Sequence, residues 1–315
     1  MSNFAMIHIF SLVLVSMTVV AMAGGGRDPD ICEPPRTIGL PIYSSDKDLL
    51  QFALNLEFLE AEFYLSSSLG VGLNSVAPEL AMGGPPPVGA RKANLDNTTN
   101  DIIEEFGYQE VGHLRVIEST VGGIPRPLLN LSAEVFADIM NDAFGYNLNP
   151  PFDPYNDTLK YLIASYVIPY IGVVAYAGAN PSIRGYESKR LLAGLLAVEA
   201  GQDAVIRTLL YQHKLELVPP YNITVANFTI KISELRNRLA MCGVKDEGLI
   251  VPMSLGAEGR LTTNILSADN DSLAYSRTPA EVLRIGYGTG NESKPGGFLP
   301  RGGNGKIARE FLEPR

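Results

Sequence analysis

The stretch Glu110-Val111-Gly112-His113, inside the helical run 99–117, decides how this chain folds. On an α-helix, side chains three residues apart project from one face a turn apart, so this carboxylate and this imidazole aim at a single point in the core of a bundle. The E-x-x-H pattern is short and common, and on an ordinary amphipathic helix it is a solvated Glu with a capped or partly buried His. Two other segments change its weight. Residues 54–64 and 198–207 each carry Glu in an otherwise apolar helical run, as a carboxylate-lined metal centre in a bundle requires.

The rest of the chain supplies the helices such a bundle needs. Ser44-Ser45-Asp46 offers an N-cap, and residues 46–68 place Leu49, Leu50, Ala53, Leu56, Leu59 and Phe63 at three- and four-residue intervals before a stop near Gly70. Residues 71–96, with Pro78 and Pro85-Pro86-Pro87, lack periodicity and have the length of a lid, a binding loop or an insert. A second helix spans 98–121 and ends at Gly122-Gly123. A short helix over 132–144 then sits in a crossover long enough for the second and third helices to run parallel. The third helix, 155–179, carries no charge between Lys160 and Arg184, so length alone also makes it a transmembrane candidate. Pro169 should kink it by removing a backbone donor, while Tyr161, Tyr166, Tyr170 and Tyr176 suit a buried helix whose phenols find partners. A fourth helix covers 185–217 and closes at Pro219-Pro220, and a further one covers 224–241 with Ile230, Ile232, Leu235 and Leu239 as its core face. The last 73 residues, 243–315, hold 12 Gly and read as an irregular Gly/Pro-rich arm with one short helix at 278–284.

Composition narrows the classes. The 315 residues are 46% hydrophobic and 19% charged, ample for a large core. With 25 Lys and Arg against 34 Asp and Glu the net charge is -9, which argues against a phosphate-backbone partner and so against nucleic acid. Residues 1–23 are uncharged, with an apolar run over 7–20 followed by Ala21-Met22-Ala23, the pattern of a signal peptide without its usual basic start; the alternative is a retained anchor. Residues 24–44 form an extended lead-in. Sequons at Asn97, Asn130, Asn156, Asn222, Asn227, Asn270 and Asn291 exceed chance pairing and fit a secreted glycoprotein, in the apoplast, the cell wall or another secretory compartment. Cys32 and Cys242 can form one disulfide there, worth on the order of 5 kcal/mol in the chain-entropy model, or remain as two thiols. No phosphate-cradling Gly-rich loop follows a strand.

Side by side, residues 54–64, Glu110-Val111-Gly112-His113 and Val198-Glu199-Ala200-Gly201-Gln202-Asp203-Ala204 resemble the ferritin-like superfamily, and within it the plant desiccation-related proteins. Ile168-Pro169-Tyr170 and Ala177-Gly178-Ala179-Asn180-Pro181 belong to the same likeness. The resemblance implies an all-α fold: a ferritin-like four-helix bundle over 45–242 with an extra helix, followed by the arm. It implies a first-helix Glu ligand, matched by Glu57 with Tyr64 seven residues on, a second-helix pair matched by Glu110 and His113, and a fourth-helix Glu matched by Glu199. Two positions depart from the pattern: Gln202 stands where a His is expected, and Pro169 or Tyr170 where the third helix should give a carboxylate. His213 lies eleven residues past Gln202, about 16 Å along a helix, too far to substitute.

Three carboxylates and one imidazole suit one Fe, Mn or Zn ion, or else a hydrogen-bonded polar core without metal. Tyr64, Tyr108, Tyr166 and Tyr170 could line the same cavity or simply fill core. Three functions follow: a stress-associated protein of the desiccation-related type, a mononuclear metal oxidoreductase or other small-molecule enzyme, and a membrane-embedded bundle. Glycans on many faces would obstruct a 24-subunit cage and leave a monomer or small oligomer.

Overall fold

Residues 50–68 are buried without interruption, which makes α1 (Ser44–Leu69) the axis around which the other helices pack. A helix apolar on every side has no solvent face, so its three glutamates must find partners inside. This architecture comes from a computed structural model that describes residues 42–313. The expected signal peptide, nearly all of the lead-in and Cys32 lie outside the described residues, and with them the pairing of Cys32; Cys242 is exposed.

After α1 come a single turn, α2 (Leu73–Val76), then α3 (Asn97–Val121), α4 (Ala133–Phe144), α5 (Thr158–Ser165), α6 (Pro169–Ala179) and α7 (Tyr186–Gln212). A two-stranded antiparallel hairpin, β1 (Leu217–Val218) and β2 (Ile223–Thr224), leads into α8 (Val225–Ala240). The arm contains α9 (Pro279–Gly286) and α10 (Lys306–Glu310). Gln51 Nε2 donates to the Gly122 carbonyl (3.0 Å), and Gly107 lies against Leu65, so α1 and α3 run antiparallel. A Cβ at Gly107 would come within 2.9 Å of Leu65 Cδ2; the glycine lets the two backbones approach. Contacts of Glu57 with Tyr176 and of Phe63 with Tyr161 set α5 and α6 antiparallel to α1, and therefore parallel to α3, as the long crossover implied.

Three local expectations change. The single third helix is two, because Pro169 lacks an N–H and the chain turns over 166–168 before α6 restarts at the proline. The carbonyls of Tyr166 and Val167 at that break accept instead from Arg236 Nη1, at 2.6 and 3.1 Å. The fourth helix ends at Gln212, not 217, where the chain turns into the hairpin. Asp46 does not cap its own helix: fully buried, it accepts from Arg184 N (3.1 Å) and Gly185 N (2.7 Å) and ties the start of α1 to that of α7.

The unperiodic stretch 71–96 is anchored rather than loose. Arg126, 0% exposed, donates to Gly84 O and Pro85 O and pairs with Glu62. The arm packs over the bundle, with Asp246, Asn264, Arg277, Leu283, Phe298 and Ala308 all buried. The segment Thr158–Ser182 is apolar and long enough to cross a membrane, but 78% of its most apolar window is buried in the fold, as in a core helix. Asn97, Asn156, Asn222, Asn227, Asn270 and Asn291 are exposed, and Asn130 is half-buried.

Candidate metal centre

Four helices deliver the site. α1 contributes Glu57 and Glu60, α3 Glu110 and His113, α7 Glu199 and Gln202, and α6 Tyr176 and the bare backbone of Gly172. His113 Nδ1 lies 3.0 Å from Glu57 Oε2, 3.3 Å from Glu110 Oε2 and 3.5 Å from Glu199 Oε1. One ligand atom from each of these four residues falls within 4.8 Å of all the others. Ligands held about 2.1 Å from one ion stand roughly 3.0 Å apart at right angles and roughly 3.4 Å apart in a tetrahedron, and the three His113 distances are of that size.

The donors are sealed and underpaired. The four glutamates are at most 1% exposed and His113 is 8% exposed. Gln202 Nε2 donates to Glu110 Oε1 (2.7 Å), and Tyr176 donates its phenol proton to Glu57 Oε1. No hydrogen bond reaches either oxygen of Glu60, either oxygen of Glu199, or Glu110 Oε2. Buried carboxylate oxygens without donors are costly unless a proton or a cation occupies the space between them.

The electrostatics record that cost. Burial, then the charges of Glu199 and Glu57, pushes the Glu110 carboxyl well above the usual range; burial, then Glu199, Glu110 and Glu57, does the same to Glu60. Burial and the Glu57 charge push Glu199 up to about 7 against the help of His113. Burial also works against Glu57, but the charge and hydrogen bond of His113 outweigh it and hold that carboxyl low. Burial alone would lower His113; the Glu57 carboxylate, with the nearby carboxyl groups of Glu110 and Glu199, raises it far above an ordinary imidazole.

The donor set fits a divalent ion. Carboxylate oxygens plus one imidazole, with no thiolate among them, suit Fe, Mn or Zn, and Glu57, Glu110, His113 and Glu199 are the residues that would hold it. Gln202 and Tyr176 brace Glu110 and Glu57 from behind, as outer partners of metal ligands do. His113 also lines a surface groove of about 400 Å³ between α3 and α7, with Val116, Glu187, Arg190, Leu191, Gly194 and Val198.

The structure brings the four expected residues Glu57, Glu110, His113 and Glu199 together, and three details differ from the sequence reading. The α6 positions that face the centre are Gly172 and Tyr176, not Pro169 or Tyr170: a Cβ on Gly172 would lie 2.8 Å from Glu199 Oε2. Of the four tyrosines expected at the cavity, Tyr108 is 50% exposed, and Tyr166 and Tyr170 lie under Arg207 and Arg236 beside the arm. Tyr64 is buried within the electrostatic reach of Glu60. Glu60 itself was missed; the signal for it is that residues 48–90 contain no Lys or Arg to neutralise an acid buried there.

Comparison with known proteins agrees with this geometry. The family described as ferritin-like domain matches residues 45–212. The chain is 63% identical over 282 residues to a ferritin-like catalase, Nec2, of Nesocodon mauritianus, covering 89% of this chain and 91% of that one. It is 54% identical over 265 residues to the desiccation-related protein PCC13-62 of Craterostigma plantagineum, covering 84% and 85% respectively. No solved structure matches. With its helical bundle closed around a carboxylate and histidine cluster, the chain belongs to the ferritin-like domain family and is a plant desiccation-related protein of that fold.

Proposed function

We propose that this protein is a secreted, metal-dependent oxidoreductase that removes hydrogen peroxide, and that it serves stress protection in this way. The observation that carries the reading is the sealed quartet Glu57, Glu110, His113 and Glu199, with His113 facing a surface groove wide enough for a small molecule. The names of the two relatives, a catalase and a desiccation-related protein, support the two halves of the proposal. In the reaction one peroxide is oxidised to dioxygen while a second is reduced to two waters, so no outside reductant is needed. A bound Mn or Fe ion supplies the redox change; Zn would make the site structural.

The chain's own residues supply the rest. Glu57, Glu110 and Glu199 offset the charge of the ion, and His113, fixed by its helix, presents one edge to the groove. Val116, Leu191 and Val198 give that groove apolar walls, and Glu187 and Arg190 add charge to its lining. The six exposed sequons support a secretory route to the apoplast or cell wall, and glycans at those sites favour a monomer or small oligomer over a cage.

The test uses untagged protein from a eukaryotic secretory host. Elemental analysis should find Mn or Fe, an oxygen electrode should register dioxygen release from peroxide, and His113→Ala should lose both. Less than about a tenth of an equivalent of any transition metal after reconstitution ends the reading and leaves a hydrogen-bonded polar core. N-terminal sequencing that finds residues 1–23 retained would remove the secretory part.

A further inference from the structure

A second pocket, of about 150 Å³, lies between α1, α6 and the arm helix α9. Its wall includes Phe52, Ala53, Leu56, Tyr176, Leu192 and Val282, all buried, while Ser182 and Thr278, its exposed lining residues, mark the mouth. Polar groups are scarce inside. Arg277 is the one charged residue of the lining, and its guanidinium is engaged within the arm: Nη2 donates to Asn237 Oδ1 (2.9 Å) and Nη1 lies 3.6 Å from Glu281 Oε1. The Thr278 hydroxyl donates to Glu281 Oε2 (3.0 Å) and the Tyr176 hydroxyl to Glu57 Oε1, so both protons are already committed. A buried water needs two to four polar partners, and an apolar cavity of about this volume stays dry and takes up xenon or benzene instead.

The pocket and the groove approach the quartet from different sides. The groove is lined by His113, whose Nδ1 meets Glu57 Oε2; the pocket is lined by Tyr176, whose hydroxyl meets Glu57 Oε1. One aromatic side chain therefore spans the distance from the pocket to the centre. The groove has Glu187 and Arg190 in its lining and suits a polar molecule, which the pocket does not. Of the two products of peroxide dismutation, water is polar and dioxygen is small, uncharged and apolar, and an apolar molecule partitions from water into an apolar space.

We propose that this pocket is a binding site for a small, uncharged, apolar molecule, and that its occupant during turnover is the dioxygen product, which leaves the centre on the Tyr176 side while peroxide arrives on the His113 side. The identity of the occupant rests on the peroxide reading above; the existence of the apolar site does not. The arm is what completes the site, because Val282 of α9 closes the pocket over α1 and α6, where Arg277 N donates to Val174 O (2.9 Å) and holds the two together.

Crystals of the full-length secreted protein are pressurised with xenon, and turnover is measured for wild type and for Ala179→Leu, which adds bulk to the pocket wall away from the quartet. Xenon should occupy the pocket in wild type and be lost from Ala179→Leu. Metal content should stay the same, and kcat for peroxide should fall about threefold or more while kcat/KM holds, because release of the product is slowed and capture of the reactant is not. No xenon in the wild-type pocket overturns the site. Xenon bound but kcat unchanged in Ala179→Leu overturns the assignment to dioxygen. A wild-type protein without metal or turnover ends the peroxide reading, and with it the dioxygen occupant, while the xenon result still decides the apolar site. Should Ala179→Leu not fold, benzene added to wild type competes for the same space and should lower kcat and leave kcat/KM unchanged; no effect of benzene then refutes the exit route.

Discussion

Replacing Glu199 with Gln should stabilise the metal-free protein at neutral pH and weaken the metal-bound one. The Glu199 carboxyl is displaced from its ordinary 4.5 to about 7 by burial and by the Glu57 charge. A shift of that size corresponds to about 3 kcal/mol between the two protonation states. The sign follows from proton counting. Below about pH 4.5 both folded and unfolded chains hold the proton and nothing is lost; as pH rises through 4.5 to 7 the unfolded chain releases it first, so stability falls, and above 7 the loss is complete. Gln carries no charge at any pH and escapes this loss. Because Glu57, Glu110 and His113 share the same field, the observable gain is about 1–3 kcal/mol, or about 3–10 °C in melting temperature for a domain of this size. The assay is thermal melting of chelator-treated wild type and Glu199→Gln at pH 4.5 and pH 8. The two should coincide at the acid end and separate at pH 8 with the variant higher; after addition of Mn²⁺ at pH 8 the order should reverse. A variant less stable than wild type without metal at pH 8 would refute the claim that these carboxylates repel one another in the apo core.

Other expected outcomes concern the surroundings of the centre. Gly194→Leu adds bulk at a groove position where a Cβ meets nothing within 4 Å, so the protein should fold with unchanged metal content while kcat/KM for peroxide drops about tenfold or more in an oxygen-electrode assay. Arg236→Met strands the buried Asp246 and frees two carbonyls at the α5–α6 break, and should cost about 3–5 kcal/mol in urea unfolding, much of it recovered by adding Asp246→Leu. Gly178→Ala places a Cβ 2.1 Å from the Arg277 carbonyl and should cost about 1–3 kcal/mol by pushing the arm off α6, detectable as faster proteolysis of the arm.

What could be read from the sequence was whatever depends on short-range spacing. Glu110 and His113 share a helix face by arithmetic, Glu199 lies in an apolar helical run, and Glu57 was singled out from the other acids of its run by the family resemblance. Glu60 was not, because Glu57, Glu60 and Glu62 share one short run, and nothing in the run says which of them the neighbouring helices will enclose without a partner. Only the packing of α3, α6 and α7 around α1 decides that, and this is a tertiary fact. The face of α6 was misread for a related reason. A continuous third helix puts one set of residues toward the centre, but the break before Pro169 restarts the count and brings Gly172 and Tyr176 inward. A hydroxyl aimed at Glu57 and a missing side chain beside Glu199 leave no signature in hydrophobic periodicity.

That break also explains why the arm matters to the centre. A helix interrupted in a dry core needs donors for the carbonyls it exposes, and Arg236 of α8 provides them at Tyr166 and Val167. A buried guanidinium needs a counter-charge in turn, and Asp246 of the arm supplies it, while Arg207 is gripped by the arm carbonyls of Glu247 and Asn264. The start of α6, and with it the placement of Gly172 and Tyr176 against Glu199 and Glu57, therefore depends on residues far beyond the bundle in sequence. The Gly-rich arm is a structural support of the site, even though none of its residues belongs to the ligand quartet.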